Sequence, residues 1–162
     1  METLNLYEFN ELNDVAQKRA IEEMRNRCYE ENSNLDFNDA FETKRKIIKL
    51  AGVVPSYYGF AYASPNELYN KTLADKFTIF MDKVDNNFAI DTIFDSIIKD
   101  IIDEWDFSKE TDYLETIGYI IIELDEIVTT NTYRYKEDEC VINYIKINDK
   151  FRFLEDGRFI EL

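Results

Sequence analysis

The sequence predicts an α+β fold, with helices packed around a small antiparallel sheet and a C-terminal β-hairpin. Three observations support this prediction. Only 2 prolines and 4 glycines interrupt the 162 residues, which favours long helices. Apolar residues recur at helical spacing in several separate stretches. Between these stretches, residues 53–90 are rich in aromatic and β-branched side chains, which is typical of strands.

Two helices are predicted in the first third of the chain. The first begins near Asn13, a residue type that caps helices, and its apolar residues continue at helical spacing to Cys28. The second runs from Asn38 to Leu50, and Gly52 is predicted to cap its C-terminus. The residues expected on its buried side are Phe37, Phe41, Ile47, Ile48 and Ala51.

Two or three strands are predicted between Val53 and Ile90. Residues 56–62 and 76–84 are aromatic and β-branched, and residues 85–87, Asp-Asn-Asn, predict a turn.

Helices are predicted again in the second half, over residues 91–106, 113–128 and 136–147. Gly118 lies inside the second of these. A glycine costs about 1 kcal/mol relative to alanine in a helix, so we expect a close approach between helices at this position. The final segment FRFLEDGRFIEL alternates around residues 155–157, Glu-Asp-Gly, which predicts a hairpin.

The charge of the chain is its strongest compositional feature. The formal net charge is −15, and residues 82–139 alone carry 17 acids and 5 bases. A surface this acidic disfavours direct binding to nucleic acid and to anionic membranes. We therefore expect one domain, residues 1–162, with an acidic helical middle over residues 82–139.

The sequence also favours a cytoplasmic protein. The N-terminal segment METLNLYEFNELND is acidic and has no apolar core, so no secretion signal is predicted. Cys28 and Cys140 are far apart and match no metal-binding or disulfide spacing. Two reduced thiols are the expectation.

Catalysis and metal binding are both disfavoured. The chain has no histidine, the commonest general base, and its four glycines are too scattered for a phosphate-binding loop. We expect no enzyme activity and no cofactor. A pair of carboxylates acting as acid and base stays open, although 34 acids make such pairs frequent by chance. Asp91 and Asp95, spaced i, i+4, are a candidate for a weak magnesium site, with a solvated helix face as the favoured alternative.

An anionic face for a protein partner is the third explanation of the charge. Rows of carboxylates on rigid helices can imitate a phosphate backbone and occupy a basic groove on a nucleic-acid-binding protein. The carboxylates predicted to form this face are Asp91, Asp95, Asp103, Asp106, Glu123 and Glu126. Tyr133 and Tyr135 are candidate anchors, because tyrosine is favoured at binding hot spots. Two alternatives stay open: the charge serves only solubility, and the tyrosines pack over the core.

The first and last segments of the chain carry a recognisable pattern. Residues 7–13 are Tyr-Glu-Phe-Asn-Glu-Leu-Asn, followed by Ala16 and Ala20 four positions apart. Residues 151–157 are Phe-Arg-Phe-Leu-Glu-Asp-Gly. These segments resemble a group of small phage and mobile-element proteins that open with Tyr-x-Phe-(Asp/Asn)-Glu-Leu-(Ser/Asn) and close with Phe-x-Phe-x-Glu-Asp-Gly.

The resemblance implies a phage context, in which small acidic proteins without enzyme activity often disarm host defences, as anti-CRISPR proteins do. It implies a non-enzymatic inhibitor in the cytoplasm of an infected bacterial host. Its partner would be a defence protein with a basic surface, with a CRISPR effector nuclease as the leading target. The alternative is a phage scaffold, assembly or interaction protein that binds through an apolar patch, with its charge serving solubility.

Overall fold

A computed structural model describes residues 3–64 and 67–161 and confirms the predicted α+β fold. Within these residues the helices are α1 (Asp14–Ala51), α2 (Leu73–Asn87), α3 (Ile93–Glu104), α4 (Tyr113–Thr132) and α5 (Asp138–Ile147). The strands are β1 (Val53–Ser56), β2 (Gly59–Tyr62), β3 (Arg152–Phe153) and β4 (Phe159–Ile160). They pair as two antiparallel hairpins, β1–β2 and β3–β4, and the second is the predicted C-terminal hairpin. Short 3₁₀ helices cover Phe9–Glu11, Phe107–Lys109 and Tyr133–Lys136.

The chain forms two compact units. The terminal unit combines Met1–Leu35 with Thr130–Leu162, and the central unit is Asp36–Thr129. The boundaries fall inside α1 and α4, so each of these helices contributes residues to both units. That the whole chain is a single domain stays a prediction. No helix in the described part of the chain has both the length and the apolar composition needed to cross a membrane.

The terminal unit joins the first and last segments of the chain in one core. Tyr7 and Phe153 exchange two backbone hydrogen bonds of 2.9 Å, which tie the N-terminal segment to β3. The Asn13 side chain accepts a 2.9 Å hydrogen bond from the backbone of Ala16 and caps α1, as predicted. The buried apolar residues of this core include Phe9, Leu12, Ala16, Ala20, Met24, Cys28, Val141, Tyr144, Ile145 and Phe153.

The central unit builds its core from the second half of α1, the β1–β2 hairpin, α2, α3 and α4. Its largest fully buried side chains include Ile47, Leu68, Phe80, Ile98, Ile102, Tyr113, Ile117, Ile120 and Leu124. The Tyr113 hydroxyl donates a 2.6 Å hydrogen bond to the carbonyl oxygen of Ala51. Gly52 follows with a φ of 70°, a left-handed conformation that glycine adopts easily, and ends α1 as predicted.

Where the sequence predicts two helices, the structure has the single 38-residue helix α1. The polar segment between the two predicted helices indicates a break, but its side chains bond back to the preceding turn. Asn32 Nδ2 donates to the carbonyl oxygen of Cys28 at 2.9 Å, and the Ser33 hydroxyl donates to that of Tyr29. No proline or glycine interrupts the segment, so the helix continues to Ala51.

The predicted strand over residues 76–84 is wrong, because this segment lies in α2. Phe77, Phe80 and Val84 are buried, and their spacing of three and four residues is that of a helix face. Thr72 caps the helix by accepting a 3.2 Å hydrogen bond from the backbone of the third helical residue. The aromatic composition favours a strand. The segment is helical because Phe77, Phe80 and Val84 pack together into the core from one helix face.

Candidate protein-binding site

Helix α3 has a buried face and an exposed face. The buried residues are Phe94, Asp95, Ile98, Ile101 and Ile102. After Ile93, the exposed residues of the helix are Ser96, Asp100, Asp103 and Glu104. The carboxylates of α3 that a partner can reach are therefore gathered at the C-terminal end of the helix.

This end of the helix is an unfavourable place for carboxylates. The unpaired carbonyl groups of a helix C-terminus carry partial negative charge, and a charge of the wrong sign nearby costs about 0.3–1 kcal/mol at an exposed site. The last turn of α3 contains Asp103 and Glu104 and no basic residue. Lys99, one turn earlier, places Nζ 2.5 Å from Asp103 Oδ1 and 2.9 Å from Asp85 Oδ1. The hydrogen bond to Asp103 is the main reason that the pKa of Lys99 is raised.

The acidity continues through the turn into α4. We call residues 100–115 the acidic corner; they comprise the end of α3, the 3₁₀ helix Phe107–Lys109 and the first turn of α4. The acidic corner contains seven carboxylates and one basic residue, Lys109. The Glu110 side chain accepts hydrogen bonds from both Trp105 and Thr116, so the end of α3 and the start of α4 lie close together in the central unit.

Three carboxylates of the acidic corner stabilise its local structure. Asp106 accepts a 3.2 Å hydrogen bond from a backbone amide of the 3₁₀ helix and caps it. Asp112 accepts a 2.9 Å hydrogen bond from the backbone of Glu115 and caps α4. Glu110 accepts a 3.1 Å hydrogen bond from Trp105 Nε1. These contacts fix the geometry of the corner.

Three other carboxylates of the acidic corner have no such role. Asp100, Glu104 and Glu115 are exposed. Their side chains form no hydrogen bond or ion pair with residues 3–64 or 67–161. Asp100 and Glu104 are spaced i, i+4, so their Cβ atoms lie about 6 Å apart on one face of α3. These carboxylates are available to a partner.

Asp95 is not exposed, and its assignment to the anionic face is wrong. Its side chain is 1 % exposed, because it lies on the same helix face as Ile98 and Ile102. Asp95 Oδ2 accepts hydrogen bonds from Lys46 Nζ at 2.6 Å and from the backbone of Asp91 at 2.9 Å. Oδ1 accepts a hydrogen bond from the Thr43 hydroxyl.

The charges of Asp95 and Lys46 neutralise each other. Burial alone raises the pKa of Asp95, but hydrogen bonds from Lys46, Thr43 and two backbone amides outweigh it and hold the pKa below the ordinary value. Burial lowers the pKa of Lys46, and its hydrogen bonds to Asp95 and Asp91 outweigh that effect and raise it. Both groups are therefore charged at neutral pH and form an internal ion pair.

Asp91 is exposed, but it shares the same lysine. Lys46 Nζ lies 3.1 Å from Asp91 Oδ2, so an ammonium group lies between the two carboxylates considered as a magnesium site. Asp91 precedes α3, at the opposite end of the helix from Asp103. It therefore does not belong to the acidic corner.

Glu123 and Glu126 are exposed on α4. The Glu123 side chain forms no hydrogen bond or ion pair within the described part of the chain. It follows Glu115 by eight residues, about 12 Å along the helix, and so lies beyond the acidic corner. Between the two glutamates, Asp125 Oδ1 is 2.8 Å from Lys44 Nζ.

Tyr133 and Tyr135 belong to the terminal unit, where they lie in a 3₁₀ helix. Tyr133 is 58 % exposed, whereas Tyr135 is partly buried against the terminal core. The guanidinium carbon of Arg134 lies 5.3 Å from the ring centroid of Tyr135. Of the two predicted anchors, only Tyr133 presents most of its side chain to a partner.

The central unit also has an apolar groove that the sequence does not predict. The groove has a volume of about 670 Å³ and lies among the second half of α1, the β1–β2 hairpin and Ile121 of α4. Phe41 lines it and is 56 % exposed, and Phe37, one turn earlier on α1, is 44 % exposed. The prediction that these two phenylalanines are buried is wrong, because Ala40 and Ile47 occupy the core face of the helix.

Sequence reasoning missed Asp100 and Glu104. The signal that could have identified them is a predicted helix that ends in acids without a lysine or arginine in its last turn. The capping role of Asp95, although not its burial, also had a signal, since Thr92 and Asp95 have the spacing of a capping box, which the structure contains.

Comparisons with protein-family models, with curated proteins and with solved structures found no significant match for this chain.

Proposed function

We propose that this protein is a non-enzymatic, phage-type inhibitor that binds a host nucleic-acid-handling defence protein through the acidic corner. The leading target is a CRISPR effector nuclease, which makes the protein an anti-CRISPR. The choice of target rests on the sequence resemblance to small phage proteins. The choice of surface rests on the structure of α3 and the start of α4.

The observation that supports this surface most is the position of Glu104 and its neighbours at the end of α3. A carboxylate there opposes the helix dipole by about 0.3–1 kcal/mol, and like charges at i, i+4 cost a few tenths more. Solubility does not require this arrangement, because carboxylates elsewhere on the surface serve it equally well. The carboxylates at the end of α3 cost stability in the free protein, and a partner that supplies positive charge there would offset this cost.

The chemistry of the contact follows from these groups. Carboxylates form short, charge-assisted hydrogen bonds with lysine and arginine, as phosphate oxygens do. A nuclease holds its nucleic acid in a positively charged groove, and Asp100, Glu104 and Glu115 present carboxylates that fit the same side chains. Attraction between the −15 chain and such a groove also speeds their encounter.

A cleavage assay tests the proposal. CRISPR effector nucleases loaded with guide RNA are mixed with the protein, and cleavage of target DNA is measured. We expect inhibition of at least one nuclease, and its loss in the double variant Asp100→Lys, Glu104→Lys. The control is Glu23→Lys, Glu30→Lys, which makes the same charge change at two exposed glutamates of the terminal unit. Equal loss of inhibition in both variants would show that total charge, not the acidic corner, is responsible.

The apolar groove favours a second candidate function, an assembly or interaction protein that binds through an apolar patch. The two functions differ in their response to salt. Binding through carboxylates weakens steeply as ionic strength rises, because screening shortens the range of exposed charges. Binding through the groove is driven mainly by apolar burial and weakens less over the same range.

A further inference from the structure

The apolar groove of the central unit has the chemistry of a peptide-docking site. Its apolar walls come from three elements, and the side chains that form them include Phe41, Ile48, Val54, Pro55, Phe60 and Ile121. Exposed apolar surface gathered in one concave place is typical of an interaction site on a soluble protein.

The rim of the groove carries the opposite charge from the rest of the unit. Lys44, Arg45, Lys46 and Lys49 line it, against the single acid Glu42. The central unit as a whole has 19 acids and 9 bases, so nearly half of its bases are gathered at this groove. An occupant with negative charge is favoured here, although the protein as a whole repels one.

Of these four bases, Lys44 and Lys46 form ion pairs with Asp125 and Asp95 inside the central unit. The other two, Arg45 and Lys49, face outward. The Arg45 side chain is 65 % exposed and holds Glu42 at 3.2 Å, a surface pair of little strength. Lys49 is exposed and has no ion pair within the described residues. Arg45 and Lys49 are spaced i, i+4, so they lie side by side along α1.

The turn of the β1–β2 hairpin adds aromatic surface beside the groove. Tyr57 and Tyr58 connect the two strands and are 92 % and 95 % exposed. Their ring centroids are 4.8 Å apart in an edge-to-face arrangement. Val54 in β1 and Phe60 in β2 line the groove itself. Exposed tyrosines next to an apolar pocket are characteristic of protein-binding surfaces.

We propose that this groove docks a short amphipathic segment of a partner protein that carries carboxylates along one edge. Its apolar side chains fill the space between Phe41 and Phe60, and its carboxylates pair with Arg45 and Lys49. The complementarity of charge selects this occupant over a basic segment. The site is separate from the acidic corner and prefers the opposite charge, so either surface can function without the other.

A peptide selection tests this inference. A display library of random-sequence peptides is selected for binding to the full-length protein and then counter-selected against Phe41→Asp. Phe41 is largely exposed, so the substitution leaves the fold intact, which circular dichroism checks. We expect the surviving peptides to combine apolar residues with Asp and Glu. Survivors rich in Lys and Arg, or the absence of any peptide that discriminates against Phe41→Asp, would overturn the proposal.

Affinity measurements on a selected peptide then assign the contacts. Lys49→Glu is expected to weaken binding about tenfold, whereas Lys71→Glu, at an exposed lysine of the central unit outside the groove, leaves it unchanged. Phe41→Ala is expected to weaken binding by about the same factor, and Ile93→Ala, at a residue 69 % exposed outside the groove, is the apolar control. Equal effects of each variant and its control would contradict the assignment.

A second copy of this chain is the competing occupant, and sedimentation distinguishes it. The net charge of −15 opposes self-association, so we expect a monomer in both wild type and Phe41→Asp. A wild-type dimer that Phe41→Asp dissociates would show that the groove holds another copy and that the proposal is wrong.

Discussion

Lys46 Nζ lies 2.6 Å from Oδ2 of Asp95, whose side chain is 1 % exposed. The pair joins the second half of α1 to the first turn of α3 within the central unit. A carboxylate that looks like part of an anionic surface in the sequence is thus a structural element of the core. The distinction matters for every experiment that reverses charge in this region, because a change at Asp95 disturbs contacts in the core and does not test the surface.

Asp95→Asn is expected to lower the free energy of unfolding by about 1–3 kcal/mol, because it weakens the acceptor for Lys46, Thr43 and two backbone amides. Asp103→Asn is the matched control. It removes an exposed ion pair with Lys99, which contributes at most about 1 kcal/mol. Urea denaturation of the two variants measures the difference, and equal losses of stability would contradict the structural role of Asp95.

The same pair predicts a pH dependence. The pKa of Asp95 is lower in the folded protein than its ordinary value of about 3.9. A lowered pKa means that the charged form stabilises the fold fully above the ordinary value. This stabilisation is lost as the pH falls through the folded pKa. We therefore expect the stability difference between wild type and Asp95→Asn to be constant near neutral pH and to shrink below about pH 4. A stability difference between wild type and Asp95→Asn that grows at low pH would contradict this prediction.

Reversing one charge at the end of α3 should make the protein more stable. Glu104→Lys places a cation at a helix C-terminus and opposite Asp100, so we expect a gain of about 0.3–1 kcal/mol in the free energy of unfolding. Glu115→Lys makes the same charge change in the first turn of α4 and should lose a similar amount. Thermal denaturation measures both. If both variants change the free energy of unfolding by the same amount and in the same direction, the effect comes from net charge and not from the position of each residue at a helix end.

Two glycines should respond in opposite directions to alanine. Gly157 has a φ of 91°, and a Cβ atom there would lie 2.0 Å from the carbonyl oxygen of Ala16. Gly157→Ala is therefore expected to cost at least about 1–3 kcal/mol. A Cβ atom at Gly118 would meet the ring of Phe60 at 3.9 Å, an ordinary contact with the hairpin and not the helix approach expected from the sequence. Gly118→Ala should gain up to about 1 kcal/mol, and a loss comparable to that of Gly157→Ala would contradict this geometry.

Features that depend on neighbouring residues could be predicted from the sequence. The cap at Asn13, the end of α1 at Gly52 and the C-terminal hairpin around Gly157 depend on contacts or backbone conformations within a few positions. The burial of Asp95 could not be predicted in the same way, because its partners Lys46 and Thr43 lie 49 and 52 residues away in the chain. Its position at the edge of the apolar stripe of α3 allows either exposure or burial.

The residues that carry the phage resemblance meet in the terminal unit. Tyr7 pairs with Phe153, and Gly157 approaches the backbone of Ala16. Their physical role is to assemble a small core from distant parts of the sequence. The acidic corner and the groove lie in the central unit, outside the resembling segments. Their function had to be inferred from charge and exposure.

The most direct test of the acidic corner is the dissociation constant of the protein and an inhibited nuclease, measured over a series of salt concentrations. For the wild type we expect affinity to fall steeply with salt, because exposed charges are screened over about 8 Å at physiological ionic strength. Asp100→Lys, Glu104→Lys should bind weakly at every salt concentration while unfolding no more easily than the wild type. Affinity that is insensitive both to salt and to this double variant would contradict binding through the acidic corner.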